Sequence, residues 1–124
     1  MVLDHFLQVW GGVNIINPGS IFIGEKVMID TLHPELITIE ENATITSGTV
    51  ILTHYIHSDG SYTSGRVHIK KNSFIGVNSV ICKNITIGEN AIIGAGSIIT
   101  KDIPDNELWA GNPAKFIKRI HKEK

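Results

Sequence analysis

Large apolar residues return at every sixth position along most of this chain. Of the eleven positions on this step between residues 39 and 99, nine are isoleucine, and both exceptions fall in one polar stretch, residues 55–66. An earlier pair, Ile23 and Ile29, keeps the step in a shifted phase, which predicts extra residues within 31–36. Neither the 3.6-residue period of an α-helix nor the two-residue alternation of a strand explains such a step.

The positions that flank each isoleucine predict a short strand followed by a tight corner. Two positions before the isoleucine the side chain is mostly small, and three positions after it comes a residue type that tolerates a left-handed backbone. The small residues are Ala43, Thr49, Ser73, Ser79, Ala91 and Ser97, with Ile85 as the departure. The corner residues are Asn42, Gly48, His54, Asn72, Asn78, Asn84, Asn90, Gly96 and Asp102. Three such sides close a triangular prism, so the sequence predicts an all-β parallel β-helix with isoleucine filling its interior.

The pattern divides a single domain, residues 1–124, into three parts. We expect an N-terminal capping segment over residues 1–20, the β-helix over 21–104 with a loop at 55–66, and a C-terminal extension over 105–124. The extension contains Asn112 and Pro113, which suit the N-cap and the first position of a helix. The sequence therefore predicts a short C-terminal α-helix ending near His121.

Composition and charge narrow the class of protein. The chain has 22 Ile and 8 Val against 6 Leu, which favours strands over a helical bundle. A net charge of −1 gives no support to a nucleic-acid or membrane partner. A lone cysteine, Cys82, excludes an internal disulfide. With no targeting or membrane-spanning segment in the sequence, we expect a cytoplasmic protein.

About residues 21–121 of the chain resemble a known family, and the most specific motifs lie near the C-terminal end. Residues 85–104, ITIGENAIIGAGSIITKDIP, followed by Ala110-Gly111-Asn112-Pro113-Ala114-Lys115, are similar to the hexapeptide-repeat acyltransferases, especially galactoside, maltose and polysaccharide O-acetyltransferases. The resemblance implies that the β-helix is left-handed and that acetyl-CoA is the co-substrate, with no metal. It also implies a homotrimer with sites between subunits and transfer of the acetyl group to a hydroxyl of a saccharide or other small acceptor.

The family's general base falls on His54 in this sequence. His54 lies directly before the polar stretch 55–66, and a near-neutral imidazole can accept a hydroxyl proton. The alternative is that His54 is only a tolerated turn residue, since histidine is enriched at left-handed positions. The family's coenzyme A contacts fall on Ala95, Thr100, Lys101, Lys115 and Lys118, where the lysines would meet phosphates. For Lys115 and Lys118 a solvated helix face is the alternative.

The acceptor site departs from the family pattern. The acceptor-contacting Asn of the galactoside enzyme falls on Ile23, and its aromatic residue after the loop falls on Phe74. We therefore expect acceptor contacts from His57 in the loop, from Phe74, and from Asp30 beside the 31–36 insertion, where His33 also lies. None of these positions identifies the acceptor.

Stacking at eighteen-residue steps predicts how the site is shared between subunits. His54 shares an edge of the prism with Asn72 and Asn90, and Lys101 shares a different edge with Lys83. On this count His54 and Lys101 of one chain do not meet, so a site built from two neighbouring subunits is expected.

Three other functions compete with O-acetylation of a sugar hydroxyl. N-acetylation of an amino sugar uses the same fold and donor. A γ-class carbonic anhydrase shares the fold, but His54, His57 and His68 do not show the ligand spacing of that family. A solenoid that only binds partners would need neither His54 nor the Thr100-Lys101 ending.

Overall fold

The computed structural model describes residues 11–121, and within them the chain winds as a parallel β-helix. Short strands lie on three faces of a prism, and two 3-10 helices, Pro18–Ser20 and Pro34–Leu36, interrupt the first coils. In chain order the strands are β1 (Asn14–Ile15), β2 (Phe22–Ile23), β3 (Met28–Ile29), β4 (Ile37–Ile39), β5 (Thr44–Ile45), β6 (Val50–Ile51), β7 (His54–Ile56), β8 (Tyr62–Ser64), β9 (Val67–Ile69), β10 (Phe74–Ile75), β11 (Val80–Ile81), β12 (Ile85–Ile87), β13 (Ile92–Ile93), β14 (Ile98–Ile99), β15 (Glu107–Gly111) and β16 (Ala114–Arg119).

Three sheets form the faces of the prism. The first sheet has the order β1-β4-β9-β12, the second β2-β5-β10-β13-β15-β16, and the third β3-β6-β11-β14. Isoleucine pairs with isoleucine along each face, as in Ile45 with Ile75 and Ile75 with Ile93. Because successive coils repeat the same inward position, the side chains stack as ladders along the axis.

The interior confirms the six-residue pattern. All nine isoleucines of the column are fully buried, and the small residues that precede them are buried beside them. Seven corner residues have the left-handed backbone expected of them, with φ between 57° and 76°: Asn42, Gly48, Asn72, Asn78, Asn84, Asn90 and Gly96. His54 and Asp102 are not among the positive-φ residues of the described chain.

The polar stretch 55–66 leaves the prism as an antiparallel hairpin. β7 pairs with β8, His54 opposite Ser64 and Ile56 opposite Tyr62. The hairpin returns to the corner that it left, because the amide of Gly65 donates to the carbonyl of Thr53 at 2.9 Å. These twelve residues therefore add no side to the prism.

Two sequence expectations about the ends of the chain need correction. The predicted C-terminal α-helix is wrong, since β15 and β16 form an antiparallel hairpin that ends the second sheet. Pairing with β13 gives the β15 backbone its hydrogen bonds, and Phe116 of β16 packs edge-on against Trp109 at 6.4 Å. At the other end β1 pairs with β4, so the coil extends into the predicted capping segment. Residues 1–10 of that segment lie outside the described residues.

Candidate active site

One corner of the prism, between the third and first sheets, carries most of the polar chemistry. We call it the His54 corner. Along this corner three backbone amides each donate a hydrogen bond to a carbonyl of the next coil. The amides of Asp30, Leu52 and Cys82 donate to the carbonyls of Ile51, Ile81 and Ile99, respectively. The residues that directly follow β3, β6, β11 and β14 are thus aligned along this corner: Asp30, Leu52, Cys82 and Thr100.

This alignment overturns the edge assignment made by counting eighteen residues. His54 lies two positions after Leu52, on the same edge as Lys83 and Lys101, and not on the edge of Asn72 and Asn90. The count was wrong because the hairpin occupies twelve residues without turning a corner. His54 and the Thr100-Lys101 segment therefore belong to one corner of one chain.

A buried carboxylate holds His54 in place. Asp30 Oδ2 accepts hydrogen bonds from the backbone amides of Thr53 and His54, both at 3.1 Å, and it is hydrogen-bonded to His54 Nδ1. Its other oxygen accepts the amide of Leu32 at 3.0 Å. The Asp30 side chain is only 3% exposed, and that of His54 is 26% exposed. Within the described chain His54 Nε2 has no hydrogen-bond partner, so the Asp30 bond leaves that nitrogen available for a proton.

The Asp30 carboxylate is kept ionised by its neighbours. Burial acts to raise the pKa of Asp30, but hydrogen bonds from the backbone of Leu32 and Thr53 and from the His54 ring outweigh it and hold the pKa below its usual value. An ionised Asp30 fixes the proton of the imidazole on Nδ1 and stabilises the imidazolium once Nε2 has taken a proton. Together Asp30 and His54 can act as a general base.

An open cavity of about 320 Å³ adjoins His54 on the side of the later coils. Its walls come from the hairpin and from the His54 corner: Leu52, His54, Tyr55, His57, Cys82, Lys83 and Thr100. The Tyr55 and His57 rings pack edge-on at 4.8 Å, and His57 Nε2 lies 3.1 Å from the Thr63 hydroxyl. Burial raises the pKa of the Cys82 thiol, only partly opposed by Lys83, so this cysteine is not an activated nucleophile.

Tyr62 of the hairpin and His33 of the 31–36 insertion pack beside His54 and do not line the cavity. The Tyr62 ring stacks on the His54 ring at a centroid distance of 5.5 Å and an interplanar angle of 23°. The Tyr62 phenol is hydrogen-bonded to His33 Nε2, and His33 Nδ1 lies 3.4 Å from Glu35 Oε1. Two imidazole–carboxylate pairs, Asp30–His54 and Glu35–His33, thus flank the Tyr62 side chain.

The structure brings together some of the residues predicted from sequence. His54, His57 and Thr100 line one cavity, and Lys101 follows Thr100 on the same corner. The interpretation of His54 as a left-handed turn residue is wrong, because His54 begins β7 in extended conformation. Asp30 also differs from its expected role as an acceptor contact, since it is buried behind His54 and reaches the site through that ring.

Other predicted residues lie elsewhere on the chain. Ala95 is at the corner between the second and third sheets, which we call the Ala95 corner, and Lys115 is paired with Ala110 close to it. Lys118 lies further along β16, opposite Leu108. Phe74 is exposed on the second sheet, which does not border the His54 corner.

Sequence reasoning missed the residues that surround His54. Leu52, Tyr55, Cys82 and Lys83 line the cavity, and the Tyr62 ring stacks on the His54 ring. Their only sequence signal is proximity to the interrupted part of the lattice. In the described range 11–121, no group of three or more His, Cys, Asp or Glu side chains could hold a metal ion. The same range contains no helix with the length and apolarity needed to cross a membrane.

Comparison with known proteins places the chain in a family. A family described as "Bacterial transferase hexapeptide (six repeats)" matches residues 66–101. A protein of Staphylococcus aureus strain MSSA476 named as an acetyltransferase, SAS0727, is 44% identical over 123 residues, which cover 98% of this chain and 74% of the relative. The chain belongs to the hexapeptide-repeat transferase family. The resemblance inferred from the sequence is thereby confirmed.

Solved structures of hexapeptide-repeat enzymes share the fold. A maltose O-acetyltransferase from Clostridium difficile 630 superposes with a TM-score of 0.73 at 29% identity, covering 96% of this chain and 75% of that one. A galactoside acetyltransferase in complex with coenzyme A gives 0.70 at 32% identity, covering 88% and 60%. The predicted left-handed parallel β-helix is therefore confirmed, apart from its C-terminal helix.

Several hexapeptide-repeat relatives are considerably longer than this chain. Protein CapG of Staphylococcus aureus is 48% identical over 98 residues, which cover 71% of this chain but 55% of CapG. An acetyltransferase-named protein of Bacillus subtilis, YvoF, is covered to 52%. The chain thus spans about half the length of these curated relatives.

Proposed function

We propose that this protein is an acetyl-CoA-dependent O-acetyltransferase that transfers an acetyl group to a hydroxyl of a saccharide. The observation that carries the proposal is the Asp30–His54 pair beside an open cavity, with Nε2 of His54 unpartnered among the described residues. Family membership supports the donor, because a galactoside acetyltransferase with the same fold has been solved with coenzyme A.

His54 acts as the general base in this reaction. Its Nε2 takes the proton of the acceptor hydroxyl while the hydroxyl oxygen attacks the thioester carbonyl of acetyl-CoA. The tetrahedral intermediate then collapses, the carbon–sulfur bond breaks, and the proton passes from the imidazolium to the departing sulfur. General-base assistance of this kind contributes about 10²–10⁴-fold to the rate, and Asp30 stabilises the charge that forms on the ring.

We infer from the family resemblance that the protein is a homotrimer whose sites are shared by two copies of the chain. Thr100 and Lys101 lie on the His54 corner, whereas Ala95 and Lys115 lie on the Ala95 corner at the other end of β14. The resemblance to the trimeric acetyltransferases implies that coenzyme A passes between the His54 corner of one copy and the Ala95 corner of another.

The cavity walls suit a sugar acceptor. Tyr55 offers an exposed aromatic face, and His57 and Thr100 offer hydrogen-bonding groups. Aromatic faces and a few polar groups are what a saccharide-binding surface needs. A polysaccharide or its precursor fits this chemistry, and O-acetylated saccharides are the products that the named structural neighbours suggest.

A thiol-release assay tests the proposal. The purified protein is incubated with acetyl-CoA and a panel of monosaccharides, nucleotide-linked sugars and oligosaccharides, and free coenzyme A is followed with a thiol reagent. We expect acceleration by neutral hydroxyl acceptors and a product whose acetyl group hydroxylamine removes, as it does from esters but not from amides. His54→Ala and the distant His68→Ala serve as the inactive variant and its matched control.

Two outcomes contradict the proposal. If only amines accelerate thiol release and the product resists hydroxylamine, the protein is an N-acetyltransferase. If acetyl-CoA at a concentration far above its expected affinity produces no thermal stabilisation, the donor is wrong, since saturation at about 100 times the dissociation constant adds about 2.7 kcal/mol.

A further inference from the structure

The two longest interruptions of the lattice meet beside His54, through side chains that do not line the cavity. The first interruption, residues 31–36, supplies His33 and Glu35, and the second, residues 55–66, supplies Tyr62. The His33 and His54 rings are 6.4 Å apart and nearly perpendicular, and the Tyr62 ring lies within 6 Å of both. Neither interruption contributes a strand to the three sheets of the prism.

The side chains of Glu35, His33 and Tyr62 form a series of hydrogen-bonding groups in which each has a defined donor or acceptor role. His33 Nδ1 faces the Glu35 carboxylate at 3.4 Å, which favours a proton on Nδ1 and leaves Nε2 as an acceptor. The Tyr62 phenol then donates to His33 Nε2. This series of hydrogen-bonding groups connects the hairpin to the 31–36 insertion. Tyr62 also contacts His54, because its ring stacks on the imidazole.

We propose that Tyr62, anchored by His33, is a positioning residue that fixes the plane of the His54 ring for proton transfer. Asp30 holds one edge of the imidazole through Nδ1, but a single hydrogen bond still permits the ring to tilt about it. The Tyr62 ring, stacked on its face at 23°, opposes that tilt. The proposal rests on the proposed function only for its catalytic consequence.

The hydrogen bond to His33 fixes the position of Tyr62, although Tyr62 is partly exposed. The Tyr62 side chain belongs to a two-stranded hairpin outside the prism and is 46% exposed, so stacking alone would leave it mobile. The His33 bond ties the phenol to the first coils. Desolvation, followed by the Asp30 and Glu35 charges, raises the pKa of Tyr62, so the phenol keeps the proton that it donates.

A double-mutant cycle tests the pairing of Tyr62 with His33. Tyr62→Phe keeps the ring and removes the hydroxyl, and His33→Ala removes its acceptor. We expect each change to lower kcat for thiol release about three- to tenfold, the scale of one hydrogen bond, with KM for acetyl-CoA unchanged. The double variant should be no slower than the worse single variant, because both break the same contact. His33→Gln, which restores an acceptor, should recover part of the loss.

A second measurement reads the ring directly and needs no turnover. In a 1H–15N spectrum of the imidazole nitrogens, wild-type His54 should show one tautomer with the proton on Nδ1, and Tyr62→Phe should broaden or average its signals. His68→Ala is the matched control: it breaks a comparable imidazole–carboxylate pair, His68–Glu40, on the outer face of the first sheet. It should change neither the His54 signals nor kcat.

The two measurements separate this inference from the proposed function. If no acceptor supports thiol release by the wild-type protein, the proposed function fails while the spectrum still reports whether Tyr62 orders the His54 ring. Unchanged His54 signals in Tyr62→Phe, or additive losses of kcat in the double variant, overturn the positioning role.

Discussion

The regular corners of this prism and the His54 corner differ in the path that the backbone takes from one sheet to the next. At a regular corner such as Asn72 the chain turns by adopting a left-handed backbone, with φ of 61°, and the side chain is exposed. At His54 the chain does not turn at once. It leaves in extended conformation as β7 and returns through Gly65, and its side chain is held by Asp30.

The difference shows what the hairpin contributes to the site. A corner that must be left-handed restricts its residue to Asn, Gly or a similar type. The hairpin removes that restriction at position 54, so the residue there can be chosen for its chemistry. The 31–36 insertion acts in the same way one coil earlier, where it brings His33 beside the corner.

The largest effect on activity is expected when the His54 imidazole is removed, because no regular corner carries a catalytic side chain. We expect His54→Ala to lower kcat by about 10²–10⁴-fold, the usual worth of a general base. It should also lower the free energy of unfolding by about 1–3 kcal/mol, because the buried Asp30 carboxylate loses a hydrogen-bond donor. Thiol release and circular dichroism melting measure the two effects. Retention of more than a tenth of the wild-type rate would show that His54 is not the base.

The opposite behaviour is expected inside the regular coils. Ile81 is fully buried between Ile51 and Ile99 in the third sheet. Ile81→Ala should lower the free energy of unfolding by about 2–5 kcal/mol, and Ile81→Val by about 0.5–1.5 kcal/mol. Denaturant titration gives both values. A loss below the valine range in Ile81→Ala would mean that the ladder relaxes to fill the cavity.

The regular coils could be predicted from sequence because each feature depends on neighbours only six residues apart. The buried column through Ile45, Ile75 and Ile93 and the left-handed backbone at Asn72 and Asn90 follow from local identity. His54 itself could be found because it borders the break in that pattern.

The surroundings of His54 could not be predicted, for a physical reason. Twelve residues equal two sides of the lattice, so the isoleucine phase continues across residues 55–66 whether they form two sides or an excursion. Counting them as sides put His54 on the wrong edge and hid its alignment with Asp30 and Lys83. The prediction of a C-terminal helix was wrong for a similar reason. The helix-cap signal at Asn112 is local, whereas the strand β15 forms because it pairs with the edge of β13, which is distant in sequence.

Replacing Asp30, which is hydrogen-bonded to His54, should lower kcat less than replacing His54 itself. Asp30→Asn keeps the shape but loses the charge that stabilises the imidazolium, so we expect kcat to fall about 10–100-fold, the worth of a hydrogen bond to a charged group. Thiol release at constant pH measures it, with KM for acetyl-CoA as the control. An unchanged kcat would restrict Asp30 to holding the backbone amides of Thr53 and His54.

The Asp30 carboxylate also predicts the direction of a pH effect on stability. Its pKa in the folded protein is lowered from the usual value, so its contribution to stability is present above the unfolded value, near 3.8, and is lost as the pH falls through the folded value. Wild type should therefore lose stability on acidification below about pH 4 more steeply than Asp30→Asn. Chemical denaturation at several pH values below 5 tests this, and parallel slopes for the two proteins contradict it.

The smallest effect should come from a regular corner, where a residue only has to turn. Asn72 has φ of 61°, an exposed position and no side-chain hydrogen bond with the described residues. Asn72→Ala should cost about 1 kcal/mol, since alanine pays more for a left-handed backbone, whereas Asn72→Gly should be close to neutral because glycine adopts it freely. Neither variant should change kcat, which separates this corner from His54. Denaturant titration and thiol release check the pair, and equal losses in Ala and Gly variants would mean that the Asn72 side chain, and not its backbone, stabilises the turn.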